Sequence, residues 1–334
     1  MESEYVISKN LKQLYGRITA ALQTDAVENV RRQLSNLPDR VLTVGTGGSY
    51  AAALFAAKCI NTFEKSIAIS IKPRDALLCP LEKFGLVLLF SYSGTTNDIQ
   101  VVYSACRAKG VPVCVITALD PAVNSCPFER KDIISYAVDS PDFEEHGFIS
   151  MASTLIPMCL FGNHYYKGVD SFEHYLETVF FENEKDFGTP LMAAPKTSLT
   201  IDVFTAYDTE TASTILESDI TESGIGRVTV HEKKDFSHGR YNAIEGMTPD
   251  WIVFLNNKVG SYTGALNLYL SERMHTASIE LTTEYEGIWG DFDLAVSIQF
   301  LMTELSEQMG YDMSNPVYPE EAKALYKYAN EDLF

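Results

Sequence analysis

Residues 86–96 read LVLLFSYSGTT, and this stretch decides the fold. Leu86–Phe90 is an apolar run without polar alternation, which is typical of a strand buried on both faces of a parallel sheet. The loop that follows contains Ser91, Ser93, Gly94, Thr95 and Thr96. Hydroxyls and backbone N–H groups at the carboxyl end of such a strand form a neutral cradle for an anion. One helix cap needs one hydroxyl rather than four, so the sequence predicts an anion site here.

The same alternation of strand and helix extends along the rest of the chain. Strands are predicted at Val41–Val44, Ile67–Ile71, Leu86–Phe90, Val111–Thr117, Ile133–Val138, Leu199–Phe204, Val228–Val230, Trp251–Leu255 and Ala277–Leu281. Helices are predicted at Val6–Leu37, Tyr50–Phe63, Thr96–Lys109, Met151–Tyr165, Ser171–Lys185, Thr211–Ser223, Ser261–Ser271 and Leu294–Gln308. We expect an N-terminal helical segment over 1–38 and two α/β domains over 39–190 and 191–334. Each should be a five-stranded parallel sheet flanked by helices in three layers.

Composition and charge narrow the class of protein. Acidic residues outnumber basic ones by 45 to 26, which gives a net charge of −19, and 46% of the residues are hydrophobic. The negative potential of such a chain disfavours binding to nucleic acid or to an anionic membrane surface. The apolar fraction is that of a globular chain. The six cysteines form no CxxC pair, so we expect reduced thiols, no metal site and no cofactor. The first residues contain no signal-peptide core, which predicts a cytoplasmic protein.

A second glycine-rich loop, GTGGSY at 45–50, lies between a predicted strand and a helix. Gly48 and Ser49 would place backbone N–H groups and a hydroxyl close to a ligand, although a tight turn without a ligand is an equal alternative. A dinucleotide-binding oxidoreductase is disfavoured because Tyr50 replaces the third glycine and no acid follows the second strand. A nucleotide P-loop is excluded because no Gly-Lys-Ser/Thr follows.

GTGGSY followed by SYSGTTND resembles the SIS (sugar isomerase) domain, which binds phosphosugars. The chain after about Pro38 is similar to the double-SIS phosphosugar isomerases and deglycases. The resemblance implies that Ser91, Ser93 and Thr96, with the intervening Gly94 and Thr95, hold the phosphate, and that Ser49 assists. It also implies that the Phe148 backbone and Ser150 contact the sugar, and that Lys323 in the C-terminal tail does so too. The corresponding loops of the second half lack this pattern, so we expect no phosphate cradle there.

Moving a carbonyl between C1 and C2 of a sugar requires ring opening and a carboxylate that shuttles a carbon-bound proton. In the double-SIS isomerases, a helical glutamate is this base, and a histidine sixteen positions later opens the ring. Glu222 and His238 have that spacing. The resemblance implies that the histidine reaches the neighbouring subunit's site, and hence a homodimer with composite sites. Arg240 and Tyr92 depart from the family pattern, in which proline and glutamine are usual.

Three reactions remain open on this evidence. They are aldose–ketose isomerisation, deamination of an aminosugar phosphate, and cleavage of a sugar–amine (fructosamine) phosphate. Nine acids against four bases between Thr200 and Glu245 favour a substrate that carries an amine, although a solvated acidic face is an equal explanation. A phosphosugar-sensing regulator without turnover is the rival of a different class.

Overall fold

The computed structural model describes residues 4–122, 126–140, 143–185, 187, 198–257, 261–274, 276–317 and 321. They divide into two compact units. The first unit comprises residues 13–145 and 150–176, and the second comprises residues 4–12, 146–149 and 177–317. Residues 188–195, which span the expected boundary between the two domains, lie outside the described residues. The predicted domain boundaries of 39–190 and 191–334 therefore remain a prediction.

The first unit contains a parallel sheet, sheet A, with the strand order β2-β1-β3-β4-β5. Its strands are β1 (Arg40–Val44), β2 (Ile67–Ile71), β3 (Leu86–Phe90), β4 (Val113–Thr117) and β5 (Ile133–Ser135). β3 and β4 are buried along their whole length, as the apolar runs predict. β4 begins two residues later than predicted, at Val113, because Pro112 has no N–H group for the ladder.

Helices cover both faces of sheet A. They are α3 (Gly48–Phe63), α4 (Pro73–Leu78), α5 (Asn97–Ala108) and α6 (Ala152–Tyr165). A further helix, α7 (Phe172–Asn183), begins in the first unit and ends in the second. Side chains of α4 and α5 pack against Leu42, Val44, Val87 and Leu89 on one face. α3 and α6 pack together on the other face, where the rings of Phe63 and Tyr165 stack with centroids 5.3 Å apart.

The N-terminal segment is helical, as predicted for Val6–Leu37, but it consists of two helices. They are α1 (Val6–Leu22) and α2 (Ala26–Leu34). Thr24 interrupts the helix: its hydroxyl donates to Ala21 O at 2.7 Å and accepts from Ala26 N at 3.3 Å. Such local side-chain bonds compete with the helical backbone pattern.

The second unit contains another parallel sheet, sheet B, with the strand order β7-β6-β8-β9. Its strands are β6 (Leu199–Thr205), β7 (Gly226–Glu232), β8 (Trp251–Asn257) and β9 (Ala277–Thr283), and its helices are α8 (Glu210–Glu222), α9 (Lys233–Ser237), α10 (Ser261–Met274) and α11 (Gly287–Met309). α8 packs against α11, and Phe236 of α9 and Leu270 of α10 join an apolar cluster with β6 and β8. The three-layer α/β fold is thus confirmed, but sheet B has four strands among the described residues instead of five.

Candidate functional site

The hydroxyl-rich loop at residues 91–96 follows β3 directly and leads into α5. The Ser91 and Thr96 hydroxyl oxygens lie 3.2 Å apart, and the Gly94 N–H donates to Ser91 Oγ at 3.2 Å. Thr95 Oγ1 donates to Ser93 Oγ at 2.9 Å. Ser91 is buried, whereas Ser93 and Thr95 are exposed. The loop therefore holds its hydroxyls in two pairs, one buried and one facing solvent.

Backbone geometry shapes this loop for an anion. Gly94 has φ +65°, and a Cβ there would lie 2.8 Å from Leu119 Cδ2, so glycine is required. Thr96 is the N-cap of α5 but makes no side-chain cap hydrogen bond. The first turn of α5 presents N–H donors and partial positive charge beside the four hydroxyls. A phosphate held here would need no lysine.

The first glycine loop lies next to this loop, because β1 and β3 are neighbours and Val44 pairs with Leu89. The strand order of sheet A reverses between β1 and β3. In open α/β sheets, this reversal point at the carboxyl edge is where ligands bind. Gly45 is required because a Cβ there would lie 2.3 Å from Ser49 O. The two loops that the sequence singled out therefore meet at one crevice.

Ser150 lies beside the first glycine loop. A Cβ at Gly48 would lie 2.9 Å from Ser150 Cβ and 2.2 Å from Thr154 Oγ1, so the start of α3 packs tightly on the start of α6. Thr154 Oγ1 is buried and has no hydrogen-bond partner. The structure thus brings Gly48, Ser49 and Ser150 together with the 91–96 loop in the first unit.

Glu145 has a role that sequence reasoning missed. Its carboxylate accepts hydrogen bonds from the N–H groups of Met151, Ala152 and Ser153 at 2.8, 2.7 and 3.0 Å. These are orphan donors at the start of α6, and a carboxylate at a helix N-terminus is favoured by the helix dipole. Glu145 therefore fixes the start of the helix that follows Ser150.

Two aromatic residues flank the loops. Lys72, which follows β2, places its ammonium 5.6 Å from the ring centre of Tyr50, so a cation lies next to the first glycine loop. The carbonyl of Tyr92 accepts from Thr117 Oγ1 and Ala118 N, both at 3.0 Å, which ties the hydroxyl loop to the end of β4. Burial raises the pKa of the Tyr92 phenol, which stays protonated at neutral pH. The position of Lys72 after a strand of the sheet was the signal that could have identified it.

Phe148, Glu222 and His238 belong to the second unit. The Phe148 N–H donates to Ser314 O at 2.8 Å. Glu222 is the last residue of α8, and its Oε1 accepts from Ser218 Oγ at 2.8 Å. Loss of hydration raises the pKa of the Glu222 carboxyl, and Glu217 adds to the shift, although the residue as a whole is exposed. A raised pKa suits a group that accepts and returns a proton.

His238 directly follows α9, and a buried lysine at the start of this short helix hydrogen-bonds it to the end of β8. Lys233 Nζ donates to Leu255 O and Asn256 Oδ1, both at 2.8 Å, at the end of β8. The His238 N–H closes the helix through bonds to Lys234 O and Asp235 O at 3.1 Å. The His238 side chain is exposed, and its turn therefore presents an imidazole on a fixed backbone.

The departure at Arg240 has a structural consequence. Arg240 Nη2 lies 3.7 Å from Asp235 Oδ2, so an ion pair spans the turn where the family usually has proline. Both side chains are exposed, and such a pair stabilises the turn only weakly.

The N–H groups in the first turn of α8 already bind a carboxylate of the same unit. Asp291 is fully buried, and its carboxylate accepts from Thr211 N at 3.2 Å and Ala212 N at 2.9 Å. α8 follows β6 as α3 follows β1, but at α3 the contacting residue from the last helix of the unit is the neutral Thr154. An internal carboxylate satisfies the donors of α8 and repels an anion, which supports the expectation that the second half has no phosphate cradle.

The remaining predictions concern Lys323, metal sites, membrane-spanning helices and the cysteines. Lys323 lies outside the described residues. Within the described ranges, no group of three or more His, Cys, Asp or Glu side chains has the arrangement of a metal site. No described helix combines the length and the apolar character needed to span a bilayer. The six cysteines form no disulfide, and Cys59, Cys106, Cys114 and Cys159 are buried.

The segment that contains the two glycine-containing loops of the first unit matches a known protein family. Residues 34–154 match the SIS domain family. A search of curated protein sequences finds no match for this chain. Solved structures share the fold over nearly the whole length: glucosamine-6-phosphate deaminase from Thermotoga maritima has a TM-score of 0.69 at 17% identity and covers 94% of this chain and 98% of its own.

Two further solved structures show the same breadth of similarity. The C-terminal domain of glucosamine-fructose-6-phosphate aminotransferase from Francisella tularensis has a TM-score of 0.65 at 14% identity, covering 94% and 99% of the two chains. Tagatose-6-phosphate ketose/aldose isomerase from Escherichia coli has a TM-score of 0.64 at 12% identity, covering 95% and 97%. These identities establish the fold alone. The match to the SIS domain family covers residues 34–154, the segment that contains both loops.

Proposed function

We propose that this protein is an enzyme that converts a phosphosugar by ring opening and proton transfer between C1 and C2. The observation that carries the proposal is the crevice between β1 and β3, where two glycine-containing loops present hydroxyls and N–H groups at the reversal point of the sheet. The phosphate would bind the hydroxyls of the 91–96 loop. Ser49 and Ser150, which flank Gly48, would contact the sugar.

Glu222 and His238 carry the chemistry in this proposal. His238 protonates the ring oxygen while the anomeric hydroxyl loses its proton, and the open-chain carbonyl results. Glu222 then takes the proton from C2 of an aldose, and an enediol or enolamine forms. Returning that proton to C1 gives the ketose form, while the 2-hydroxyl loses a proton in place of the one that O1 gained when the enediol formed. General acid–base catalysis of this kind contributes about 10²–10⁴-fold in rate.

An amine-bearing substrate is the more specific form of the proposal. The enolamine from an aminosugar phosphate becomes an imine after the proton is returned, and water cleaves the imine to a carbonyl and a free amine. The acidic stretch Thr200–Glu245 could receive a cationic amine, and a glucosamine-6-phosphate deaminase is among the proteins with this fold. Plain aldose–ketose isomerisation uses the same groups and stops before hydrolysis. Comparing turnover of amine-bearing and plain hexose 6-phosphates separates the two, and turnover of the plain sugars alone would refute the amine form.

We further propose a homodimer with composite sites, and the positions of the two groups on sheet B support it. α8 runs from the carboxyl edge of the sheet back to the amino edge, where Glu222 ends it, whereas His238 follows β7 and α9 at the carboxyl edge. β7 has seven residues and separates the two positions by roughly 20 Å. This separation supports a site that takes its glutamate from one chain and its histidine from another.

The glutamate is tested by substitution with a matched control. We expect Glu222→Gln to bind substrate but to lose about 10²-fold or more of C2 proton exchange with solvent. Glu210→Gln, at the other end of the same helix, is expected to exchange at the wild-type rate. Wild-type protein that binds a phosphosugar without any C2 exchange or turnover would instead identify a sensor.

The composite site is tested by mixing inactive chains. Glu222→Gln and His238→Ala are each expected to be inactive alone. Randomly mixed dimers should recover about a quarter of the wild-type activity, because half of the dimers carry one site with both native groups. No recovery on mixing, despite confirmed exchange of subunits, would refute the composite site.

A further inference from the structure

A second cavity lies at the opposite edge of sheet A, where β3, β4 and β5 begin. Its volume is about 200 Å³. It is bounded by the ends of α2 and α5 and by the turn before β5, and the polar side chains around it are those of Asn29, Arg32, Gln33, Arg107, Lys131 and Asp132. None of these residues belongs to the crevice described above.

Three cations converge on this cavity in a chain whose net charge is −19. Arg32 Nη2 donates to Asn29 Oδ1 at 2.8 Å, which holds the guanidinium against α2. Lys131 Nζ lies 2.8 Å from Glu129 Oε2, and Arg107 Nη1 lies 3.5 Å from Asp132 Oδ2. Three positive groups against two carboxylates leave this cluster with one excess positive charge.

The turn that carries Glu129 and Asp132 is hydrogen-bonded to the core. Tyr103, which is buried in the α5 face of sheet A, donates its hydroxyl to Asp132 Oδ2 at 2.8 Å. The same hydroxyl accepts from Glu129 N at 2.9 Å. The anchored turn fixes the backbone of Lys131, and its residues Glu129 and Asp132 both pair with Arg107 of α5. Preorganisation of this kind lowers the cost of binding.

We propose that this cavity binds a small dianion, such as the phosphate group of a metabolite, at a site distinct from the crevice between β1 and β3. Arginine forks bind phosphate in two-point geometry, and Asn29 and Gln33 add amide donors at the rim. The volume admits a small anionic molecule and not a polymer. β3 has five residues, so the two sites lie at strand ends roughly 16 Å apart.

The experiment isolates the cavity from the crevice. Inorganic phosphate is titrated calorimetrically into wild type and into the Ser93→Ala/Thr96→Val variant, which lacks two hydroxyls of the 91–96 loop. We expect the wild type to bind two phosphates per chain and this variant to bind one. Adding Arg32→Gln and Lys131→Gln to the variant should weaken the remaining site at least tenfold.

The matched control removes the same charge from the same side of the unit. Arg31 pairs with Glu28 and Lys109 pairs with Glu82, and neither lines the cavity. Arg31→Gln with Lys109→Gln in the same background should change the phosphate affinity less than twofold. Equal weakening by both double variants, or no binding in the Ser93→Ala/Thr96→Val variant, would overturn the proposal. Two phosphates bound by that variant would instead refute the phosphate role of the 91–96 loop, so the two failures are distinguishable.

Discussion

Gly48 shows how one hydrogen atom in place of a side chain decides the shape of the crevice. The helix α3 starts at this residue, and Thr154 Oγ1 and Ser150 Cβ lie where a Cβ would project. Both neighbours belong to the start of α6, whose backbone is fixed by Glu145. The glycine therefore sets the distance between the first loop and Ser150.

Substituting Gly48 with alanine tests this packing. The new Cβ would force α3 and α6 apart, and we expect a loss of about 1–3 kcal/mol in the free energy of unfolding, together with weaker phosphosugar binding. Gly16→Ala in α1 is the control, because a Cβ there meets nothing within 4 Å and alanine favours the helix. Urea denaturation measures both variants. Equal stability of Gly48→Ala and Gly16→Ala would contradict the packing.

Glu145 gives a second test on single residues. Removing its carboxylate leaves three N–H groups of α6 without an acceptor, so Glu145→Ala should lower the free energy of unfolding by about 2 kcal/mol. The neighbouring Glu144 is exposed, and Glu144→Ala should change stability by less than about 0.5 kcal/mol. Thermal and chemical denaturation would show the difference, and similar values for the two variants would rule out the cap.

On the scale of elements, the short helix α9 depends on a buried ammonium. Burial lowers the pKa of Lys233 from its ordinary value of 10.5 to about 8, while nearby carboxylates oppose the shift. The unfolded chain therefore holds more protons than the folded one between about pH 8 and 10.5. Stability rises with pH wherever the unfolded state binds more protons.

This sign predicts an unusual pH dependence. The free energy of unfolding of wild type, relative to that of Lys233→Met, should increase by up to about 3 kcal/mol between pH 8 and 10.5. Lys234, the exposed neighbour, is the control, and its substitution by methionine should give a difference that does not change with pH. Denaturation series at several pH values measure both. A stability difference between wild type and Lys233→Met that does not change with pH would contradict the burial of a charged lysine.

The helix α8 illustrates how the second unit closes its own anion site. Asp291→Ala should leave the buried N–H groups of Thr211 and Ala212 without an acceptor and cost about 2–3 kcal/mol in the free energy of unfolding. Asp291→Asn keeps an acceptor oxygen and should recover part of this loss. Glu286, at the start of α11, makes no cap bond, so Glu286→Ala should be nearly neutral. Calorimetric unfolding distinguishes the three, and a neutral Asp291→Ala would refute the internal cap.

The long elements could be predicted from the sequence because their patterns are local. β3 is an unbroken apolar run, and its bounds Leu86–Phe90 were predicted without error. The short helices α4 and α9 were missed, since five or six residues show no helical period, although Pro73 at the first turn of α4 was an available signal. The predicted fifth strand of sheet B is not present among the described residues.

The candidate site likewise has one part that local sequence patterns predict and another part that they do not. The two glycine-containing loops are contiguous in sequence, so their residue types alone indicated an anion cradle. Glu145 acts on α6 from six to eight residues away, farther than the usual capping position. Asp291 acts on α8 through a tertiary contact that spans about eighty residues. No local pattern carries such information. The roles of Glu222 and His238 rest on spacing and family resemblance, and stay a prediction.

For the whole molecule, the proposed function requires an acidic chain to hold an anionic ligand. The proposed solution is local: hydroxyls, N–H groups and the start of α5 act over a few ångströms, while the distant surface charge is screened by salt. Lys72 adds one positive charge beside the first loop. The proposed function therefore requires that the crevice between β1 and β3 recognises the phosphate group of the ligand.

Calorimetric titration of glucosamine 6-phosphate and of glucosamine into wild type and Thr96→Val tests this dependence most directly. Thr96 makes no side-chain cap bond to α5, so valine removes a phosphate donor without removing a cap. We expect wild type to bind the phosphorylated sugar at least about 100-fold more tightly than the plain sugar, and Thr96→Val to reduce that preference by about tenfold or more. Equal affinity for the two sugars, or an unchanged preference in Thr96→Val, would contradict the account.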